Sequence, residues 1–512
     1  MDQLSINRAF ERGLTIGNAS VIRCFNQNGQ VIEQSYEDFA KEVKQLILGL
    51  QKSGLKPGQL VGTLALSHLE HFQLMWAVPM AGGIFHPVNH HLSAEDVRYI
   101  INHAGDQFLC LDKSMLNKVT SILSDRASIK IYCFDEVADH MSVSDLKKLG
   151  SFEKLDNLPR IADENATAVL CYTSGTSGRP KGVAYSHRAL TLHMLTEAAV
   201  DGYGINRSDH VLLMVPFCHG AGWGVPYSAF MCGADISLLH GTLPRQEIID
   251  ILVNHRITFT GAVPEIISDI SKGLIDNSYN LSELRILMGG SPTSPSTIHA
   301  LQKAGITSLL CWGMTETLSA ATIKRILPDS DAKPGPGLPL PLTEFWLGEE
   351  FGNSRELLVR GPCVIEHYYG QDSSARVDGW FPTGDLATLS VEGSLHIHKR
   401  KKDLIKSGGE WISPMALEDE INKISSIKEC VVVGIPDPKW GERPVLVTLT
   451  EQNITIADIN SILSNTGFFE KWQLPDEMFN WESLPRTLKG KFDRHLIRLT
   501  IIESYLREKN GI

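Results

Sequence analysis

The chain has 512 residues, of which 43% are hydrophobic and 21% are charged, and its formal net charge is −11. This composition is typical of a globular protein of two or more domains whose core needs no disulfides. The acidic balance argues against nucleic acid as the main partner. Nine cysteines are present without any C-x-x-C pair, so neither a zinc site nor a disulfide framework is predicted. Free thiols fit a reducing, cytoplasmic compartment.

Membrane insertion and secretion are not expected from the sequence. The N-terminal residues mix charged and polar side chains and lack the apolar segment of a signal peptide. The longest apolar stretch, Leu74–Phe85, is broken by Pro79 and two glycines. It is too short to cross a bilayer, so we expect no transmembrane segment.

Strand and helix patterns alternate through the middle of the chain. Short apolar runs of strand type occur at Ala166–Thr173, Val211–Pro216, Asp235–Leu239, Thr258–Val263, Leu284–Met288 and Thr307–Trp312. Helical patterns occur at Ala189–Val200 (with Ser186 as a cap), Glu247–His255, Glu265–Lys272 and Ser296–Ala304. This alternation predicts βαβ units and a largely parallel sheet.

The pattern changes after about residue 398. The segment Gly379–His398 predicts short strands and turns. Beyond it we predict two helices and two strands, at Met415–Lys423, Cys430–Ile435, Val445–Thr450 and Ile456–Ser464. We therefore expect an α/β fold with a large N-terminal domain of mostly parallel sheets and helices, residues 1–399. A small, mobile α+β C-terminal domain, residues 400–512, would follow the basic run Lys399–Lys402.

The segment Tyr172–Val183 has the composition of an anion-binding loop. It follows a predicted strand, precedes a predicted helix and holds four hydroxyl side chains, three glycines and Lys181. Glycines let backbone N–H groups approach a phosphate, and hydroxyls donate hydrogen bonds to its oxygens. Pro180 excludes a Walker A loop, and the spacing excludes a dinucleotide G-x-G-x-x-G. Composition alone leaves a plain surface loop as an equal alternative.

Five segments resemble, in family order, the motifs of the adenylate-forming (AMP-binding) superfamily of acyl-CoA synthetases, adenylation domains and luciferases. They are Tyr172–Val183, Trp312–Thr317, Trp380–Leu386, Arg400–Ser413 and Pro485–Lys491. The fourth is similar to the linker of fatty-acid and related acyl-CoA ligases, which implies a place in fatty acid metabolism. The resemblance implies ATP-dependent activation of a carboxylic acid to an acyl-adenylate, then thioester formation with coenzyme A.

The resemblance also implies site residues. ATP or AMP binding is expected at Thr173, Ser174, Gly175, Thr176, Ser177, Gly178, Lys181, Gly290, Ser291, Trp312, Gly313, Asp385, Arg400, Lys406 and Trp411. The catalytic residues would be Thr315, Glu316 and Lys491, and Mg²⁺ would be held by Glu316 and Thr173. The chemistry needs positive charge, because a carboxylate must attack the α-phosphate of ATP while pyrophosphate leaves.

Each role has a simpler structural alternative. Lys491 can be a surface lysine in a turn, and Lys489 is the competing catalytic candidate. Glu316 can be a helix N-terminal carboxylate. Trp312 can be a core side chain, and Asp385 can be an aspartate of a turn.

Two further assignments concern the acid and the second half-reaction. His219 and Trp223 lie in Val215–Tyr227, which resembles the acyl-gate segment of medium- and long-chain acyl-CoA synthetases. The alternative there is a packed strand-to-helix corner. Lys402 occupies the hinge position, about which the C-terminal domain of the family changes orientation between adenylation and thioester formation.

Three functions remain open at this stage. The first is an acyl-CoA ligase, and the second is an acyl-AMP ligase that loads a separate carrier protein. The third is a nucleotide-binding protein without catalysis, which is disfavoured because Lys181, Glu316, Asp385 and Lys491 are all present. The acid can be linear fatty, short thioether or branched, or aryl, since a fold does not fix its substrate. No pattern encodes the oligomeric state, and a homodimer is one plausible state.

Overall fold

The computed structural model describes residues 3–122, 129–151, 158–173, 179–276, 279, 281–351, 354–401, 404–407, 410–450, 453–486 and 492–510, with backbone alone at 275–276, 399–400, 410–411 and 506–510. The chain divides into two compact units. The first comprises residues 1–344 and 359–381, and the second comprises residues 345–358 and 382–512.

The first unit is built from alternating helices and strands. Its helices are α1 (Ile6–Ile16), α2 (Tyr36–Lys52), α3 (Leu69–Met80), α4 (Ala94–Ala104), α5 (Lys113–Ile122), α6 (Val143–Gly150), α7 (His187–Ala198), α8 (Gly220–Trp223), α9 (Val225–Met231), α10 (Arg245–Asn254), α11 (Pro264–Asp276) and α12 (Pro295–Lys303). Its strands are β1 (Val21–Asn26), β2 (Val31–Ser35), β3 (Leu60–Leu64), β4 (Ile84–Pro87), β5 (Phe108–Leu111), β6 (Lys130–Cys133), β7 (Met141–Ser142), β8 (Thr167–Tyr172), β9 (Gly182–Ser186), β10 (His210–Leu213), β11 (Asp235–His240), β12 (Phe259–Ala262), β13 (Arg285–Met288), β14 (Thr307–Leu310), β15 (Thr322–Ile326) and β16 (Leu338–Pro339).

Within the described residues, these strands form two mostly parallel sheets. One has the order β16-β15-β14-β13-β12-β10-β11-β1-β2, with parallel pairing from β14 through β1. The other has the order β7-β6-β5-β3-β4-β8-β9, and its antiparallel pair is β8 with β9. Short apolar strands with helices between them pair in parallel because each helix carries the chain back to the same end of the sheet.

Local sequence signals explain several element boundaries. Ser35, Ser93, Ser186 and Ser294 lie at helix N-caps, and each side chain accepts a hydrogen bond from a backbone N–H of the first turn. The apolar stretch that begins at Leu74 lies in α3, where every residue except Glu70 is buried. A helix that is apolar on all sides packs inside the protein.

The second unit contains β17 (Glu344–Phe351), β18 (Ser354–Arg360), β19 (Phe381–Leu389), β20 (Leu395–Arg400), β21 (Ile405–Ser407), β22 (Glu410–Ile412), α13 (Pro414–Ile421), β23 (Ile427–Asp437), β24 (Gly441–Thr450), α14 (Ile456–Asn465), β25 (Glu477–Asn480) and α15 (Arg494–Asn510). In the described part of this unit, β17-β18-β19-β20 form one sheet. A second sheet has the order β22-β21-β24-β23, with β25 beside β24.

The β23–β24 hairpin separates two small cores. Cys430 and Val432 pack into one cluster with residues of α13 and α14, whereas Val431 and Val433 pack into another with residues of α15. Side chains of a strand alternate between its faces, so one continuous apolar run supplies both cores. Arg494 of α15 donates to both carboxylate oxygens of Glu418 in α13, each at 2.6 Å, and ties the two helices together.

The predicted fold class is confirmed, and each predicted strand and helix has a counterpart within a few residues. Strand β9 was not predicted: it begins inside the Tyr172–Val183 segment and separates the loop from helix α7. It also assigned no elements before residue 166. The domain boundary at 399/400 stays a prediction.

All nine cysteines are free thiols in the structure, as expected. No helix in the described part of the chain is both long enough and apolar enough to cross a membrane.

Candidate functional site

Three predicted site segments of the first unit follow the carboxyl ends of neighbouring parallel strands of one sheet. Strands β10, β12, β13 and β14 are adjacent and parallel. After them come the predicted acyl gate (Val215–Tyr227), Val263, the Gly289–Ser291 turn and Trp312–Thr317. Loops at this edge of a parallel sheet converge, which is why ligands of α/β proteins bind there.

The segment Trp312–Ser319, here named the Glu316 turn, folds back tightly on itself. The Trp312 carbonyl accepts hydrogen bonds from the N–H groups of Ala321 (2.8 Å) and Thr322 (3.1 Å). A Cβ atom added at Gly313 would lie 1.8 Å from the carbonyl oxygen of Ser319, so only glycine fits there. The Thr315–Thr317 part is a three-residue 3-10 turn, and not the start of an α-helix. The turn leaves Trp312 half-buried and Glu316 only 7% exposed.

The predicted phosphate-binding loop connects the two strands of a hairpin. Tyr172 of β8 pairs with Gly182 of β9. One step further, the Thr173 N–H donates to the Lys181 carbonyl (2.9 Å), and the Lys181 N–H donates to the Thr173 hydroxyl oxygen (3.3 Å). Thr173 therefore closes the base of the loop. The predicted residues Ser174, Gly175, Thr176, Ser177 and Gly178 lie outside the described residues.

Two tyrosines connect this hairpin with the Glu316 turn. The Tyr185 hydroxyl donates to the Thr315 carbonyl at 2.8 Å. The Tyr368 hydroxyl donates to Glu316 Oε1 at 2.9 Å, and Lys181 Nζ lies 4.6 Å from the centroid of the Tyr368 ring. Tyr368 thus contacts both the predicted phosphate-binding lysine, Lys181, and the predicted metal-binding carboxylate, Glu316. Sequence reasoning missed both tyrosines, because these contacts join residues distant in the chain.

The Gly289–Ser291 turn lies between the Glu316 turn and the gate. A Cβ atom at Gly289 would lie 2.4 Å from the sulfur of Cys311, the residue before Trp312. Gly290 has φ +88°, and a Cβ there would lie 3.9 Å from Cζ2 of Trp223. Ser291 donates its hydroxyl to Glu265 Oε1 at 2.9 Å. The predicted adenine-side turn and the predicted gate tryptophan are therefore neighbours.

The gate is a left-handed turn. All residues of Gly220–Gly224 have positive φ, between 48° and 78°. For the non-glycine members Ala221 and Trp223, this conformation costs roughly 1–2 kcal/mol each. The Ser319 hydroxyl, at the end of the Glu316 turn, donates to the Gly220 carbonyl at 3.2 Å. Strain of this type persists when surrounding contacts fix it, and it concentrates at functional sites.

A buried polar pair supports the other end of the gate. His193 Nδ1 lies 3.3 Å from Glu197 Oε1, and the Ser228 hydroxyl donates to Glu197 Oε2. A Cβ atom at Gly224 would lie 2.6 Å from His193 Nδ1. Burial raises the pKa of Glu197 far above its usual range and lowers the pKa of His193 to about 4. Burial therefore disfavours the charged form of both side chains. His219, at the start of the gate, is half-buried.

The second unit carries the remaining predicted residues. Asp385, 3% exposed, is the partner of Arg400 in the β19–β20 ladder, and its N–H donates to the Thr383 hydroxyl at 3.0 Å. Lys406 is the partner of Trp411 in the β21–β22 ladder. Asp385 and Arg400, the predicted ribose residues, are thus paired in one ladder. The predicted linker residues Lys406 and Trp411 are paired in another.

The predicted catalytic Lys491 and the predicted hinge Lys402 lie outside the described residues.

The residues present fit a magnesium ion that arrives with a nucleotide. Among the described residues, no group of three or more His, Cys, Asp or Glu side chains is placed to hold a metal ion. Mg²⁺ bound with a nucleotide needs only one or two protein carboxylates, because phosphates and waters supply its other ligands. Glu316 is such a carboxylate, and Tyr368 fixes one of its oxygens.

Two family models match the chain. The model described as "AMP-binding enzyme" matches residues 18–369. The model described as "AMP-binding enzyme C-terminal domain" matches residues 416–491. Together they extend over both compact units.

Curated relatives match along nearly the whole chain. A long-chain-fatty-acid–CoA ligase of Thermus thermophilus is 33% identical over 97% of this chain and 95% of its own length. A 3-methylmercaptopropionyl-CoA ligase of Ruegeria lacuscaerulensis is 32% identical over 92% of each chain. A medium-chain-fatty-acid–CoA ligase of Ectopseudomonas oleovorans is 31% identical over 100% of this chain and 96% of its own.

Solved structures share the fold. ATP-bound MatB from Rhodopseudomonas palustris superposes with a TM-score of 0.82 at 23% identity, covering 98% of this chain and 100% of its own. The o-succinylbenzoate CoA synthetase of Bacillus subtilis, solved with its acyl-adenylate intermediate, gives a TM-score of 0.78 at 22% identity, covering 96% and 98%.

Proposed function

This chain belongs to the AMP-binding enzyme family, and from that premise we propose that it is an AMP-forming acyl-CoA ligase. It converts a carboxylic acid, ATP and coenzyme A into acyl-CoA, AMP and pyrophosphate. The observation that carries the proposal is the joining of Lys181 and Glu316 through Tyr368 at the edge of the parallel sheet. The relatives that match across the whole chain are themselves CoA ligases.

The reaction has two displacements. In the first, a carboxylate oxygen of the acid bonds to the α-phosphorus of ATP, and the bond to pyrophosphate breaks. In the second, the sulfur of coenzyme A bonds to the acyl carbon, and AMP leaves with the electron pair of the broken C–O bond. The first step brings two anions together, so positioned positive charge and hydrogen-bond donors lower its barrier.

The hairpin loop and the Glu316 turn contact different parts of the triphosphate. Lys181 supplies a positive point charge suited to the leaving β- and γ-phosphates. Thr315, whose carbonyl is fixed by Tyr185, presents its hydroxyl to the α-phosphate. Glu316 and Thr173 would hold Mg²⁺, which would neutralise charge on the phosphates.

The nucleoside contacts that we propose follow from the family motifs. Trp312 offers a ring face for adenine, beside the glycines of the Gly289–Ser291 turn. Asp385 has two acceptor oxygens, enough for both ribose hydroxyls. Its ladder partner Arg400 supplies a positive charge for the same ribose or for the phosphate.

The C-terminal part of the chain supplies the switch between the two half-reactions. Lys491 bridges the acid carboxylate and the α-phosphate as their bond forms. A change of orientation about Lys402 then withdraws Lys491 and opens a path for the thiol. Lys406 and Trp411 belong to the linker that orients this domain. We also propose a cytoplasmic location and a homodimer.

The acid binds beyond the gate formed by His219 and Trp223. The proposed substrates are fatty or short thioether acids, because the three relatives described above, which are 31–33% identical, are named as long-chain, medium-chain and 3-methylmercaptopropionyl CoA ligases. A test is acid-dependent pyrophosphate release across linear acids of increasing length, 3-methylmercaptopropionate and aryl acids. A rate highest for an aryl acid would contradict this substrate class.

Replacing Trp223 with alanine is expected to change the acid profile and to leave ATP binding intact. Removing the indole opens space for several methylenes, each worth about 0.8 kcal/mol of burial. The ratio of kcat/KM for a longer acid to that for a shorter one should therefore shift at least about tenfold. Trp346→Ala is the control, because Trp346 is 58% exposed. An unchanged acid profile in Trp223→Ala would remove Trp223 from the acyl pocket.

A further inference from the structure

Tyr368 lies in a segment whose backbone is attached to both halves of the phosphate site. The Ile365 N–H donates to the Glu316 carbonyl at 3.0 Å, and the Tyr369 N–H donates to the Gly182 carbonyl at 2.8 Å. The Tyr369 hydroxyl donates to the Ala104 carbonyl at 3.0 Å. Tyr368 therefore sits between two backbone hydrogen bonds, one to the Glu316 turn and one to the hairpin.

The hydroxyl of Tyr368 meets a carboxylate that is almost removed from water. Glu316 is 7% exposed, and its Oε1 accepts the hydroxyl at 2.9 Å. A buried carboxylate needs donors, and a hydrogen bond to a charged group is stronger than one between neutral groups.

The ring of Tyr368 has a separate partner. Lys181 Nζ lies 4.6 Å from the ring centroid, within the range of a cation–π contact. The lysine side chain is otherwise exposed, so the ring face restricts where the ammonium group rests. A phenylalanine at this position would keep the ring and lose the hydroxyl, which makes the two roles experimentally separable.

We propose that Tyr368 is a positioning residue that sets the metal-binding carboxylate of Glu316 and the phosphate-binding ammonium of Lys181 in one fixed arrangement. The proposal rests on the proposed function. Through its hydroxyl, Tyr368 orients Glu316 for the metal ion that accompanies the nucleotide. Through its ring, it holds Lys181 for the phosphates that leave. The two halves of the phosphate site are thereby coupled through one side chain.

Tyr369 is a matched control on the same segment. It has the same side chain as Tyr368. Its hydroxyl donates to the Ala104 carbonyl and not to Glu316. A Tyr369→Phe variant removes one hydroxyl hydrogen bond from the same region without touching the carboxylate. Any loss that reflects general packing of the segment should appear in both variants.

The test measures metal binding without catalysis. Mn²⁺ is titrated into the protein with the non-cleavable analogue α,β-methylene-ATP, and bound Mn²⁺ is followed by electron paramagnetic resonance. Tyr368→Phe should weaken Mn²⁺ binding about tenfold, the scale of a lost hydrogen bond to a charged group. Tyr369→Phe should bind Mn²⁺ as the unmodified protein does. Tyr368→Leu should additionally weaken binding of the analogue itself.

A double-mutant cycle with Glu316→Gln locates the effect. In the Glu316→Gln background, Tyr368→Phe should cause little further loss, because its partner charge is already gone. The proposal is overturned if Tyr368→Phe binds Mn²⁺ normally, if Tyr369→Phe shows the same loss, or if the two losses add fully. Unchanged thermal midpoints of the ligand-free variants separate a binding loss from unfolding. If the unmodified protein bound Mn²⁺ and the analogue but made no acyl-CoA, the proposed function would fail independently of this inference.

Discussion

Replacing Lys491 with alanine is expected to slow adenylation by at least ~100-fold, the scale of losing one charge contact made in a transition state. The reason is that the attacking carboxylate and the α-phosphate repel each other until a cation bridges them. Thioester formation from a supplied acyl-adenylate should be spared, because that step attacks a carbon atom and needs no such bridge. Pyrophosphate release measures the first half-reaction, and acyl-CoA formation from synthetic acyl-adenylate measures the second.

Lys489→Ala is the control for this prediction. It removes a lysine of the same short segment, two residues away, and should leave both half-reactions near the unmodified rates. An equal loss of both half-reactions in Lys491→Ala would contradict the two-orientation account. A selective loss of adenylation in Lys489→Ala would instead assign the bridging role to Lys489.

Replacing Glu316 with glutamine is expected to lower the adenylation rate by roughly 100-fold, because the metal loses its protein carboxylate. Glutamine keeps the size of the side chain and still offers an oxygen to the Tyr368 hydroxyl, so the fold should be unaffected. The Mg²⁺ concentration for half-maximal rate should rise. Pyrophosphate release measured over a Mg²⁺ series gives both quantities.

Glu366→Gln is the matched control for that variant. Glu366 is exposed, lies on the same segment as Tyr368 and loses the same charge on substitution. A change in Mg²⁺ requirement in both variants would mean that general electrostatics, and not metal binding at Glu316, causes the effect. An unchanged Mg²⁺ requirement in Glu316→Gln would remove Glu316 from the metal site.

Sequence reasoning could name candidate site segments because the residues concerned lie in short continuous motifs. The segments after β8, β13 and β14 carry their chemistry within a few residues of a strand end, and parallel pairing then brings the loops of β13 and β14 to one edge. The ladder partners Asp385 and Arg400 are only 15 residues apart, with a turn between their strands. At these positions, residues that are close in the sequence are also close in the fold.

Other features depend on contacts that no local pattern encodes. The pairing of Tyr368 with Glu316 joins residues 52 positions apart. The left-handed gate is suggested by three glycines, but Ala221 and Trp223 adopt it because Ser319 and the His193–Glu197 pair fix both of its ends. Tertiary packing there overrides the intrinsic preference of the backbone.

Some N-terminal elements, namely α3, β3, β4 and β5, lack the local patterns by which elements are predicted. Helix α3 is buried on nearly all sides, so it lacks the one-sided apolar periodicity by which surface helices are recognised. Strands β3, β4 and β5 are four or five residues long and wholly buried, so they show no alternation either.

The central claim is that this chain joins a carboxylic acid to coenzyme A at the expense of ATP. Its most direct test is the product balance of the purified protein with ATP, Mg²⁺, coenzyme A and the best acid of the panel. The account predicts AMP, pyrophosphate and acyl-CoA in equal amounts over many turnovers, with AMP and acyl-CoA dependent on both the acid and coenzyme A. Acid-dependent pyrophosphate release without acyl-CoA would contradict it and would point to a carrier protein as the acceptor.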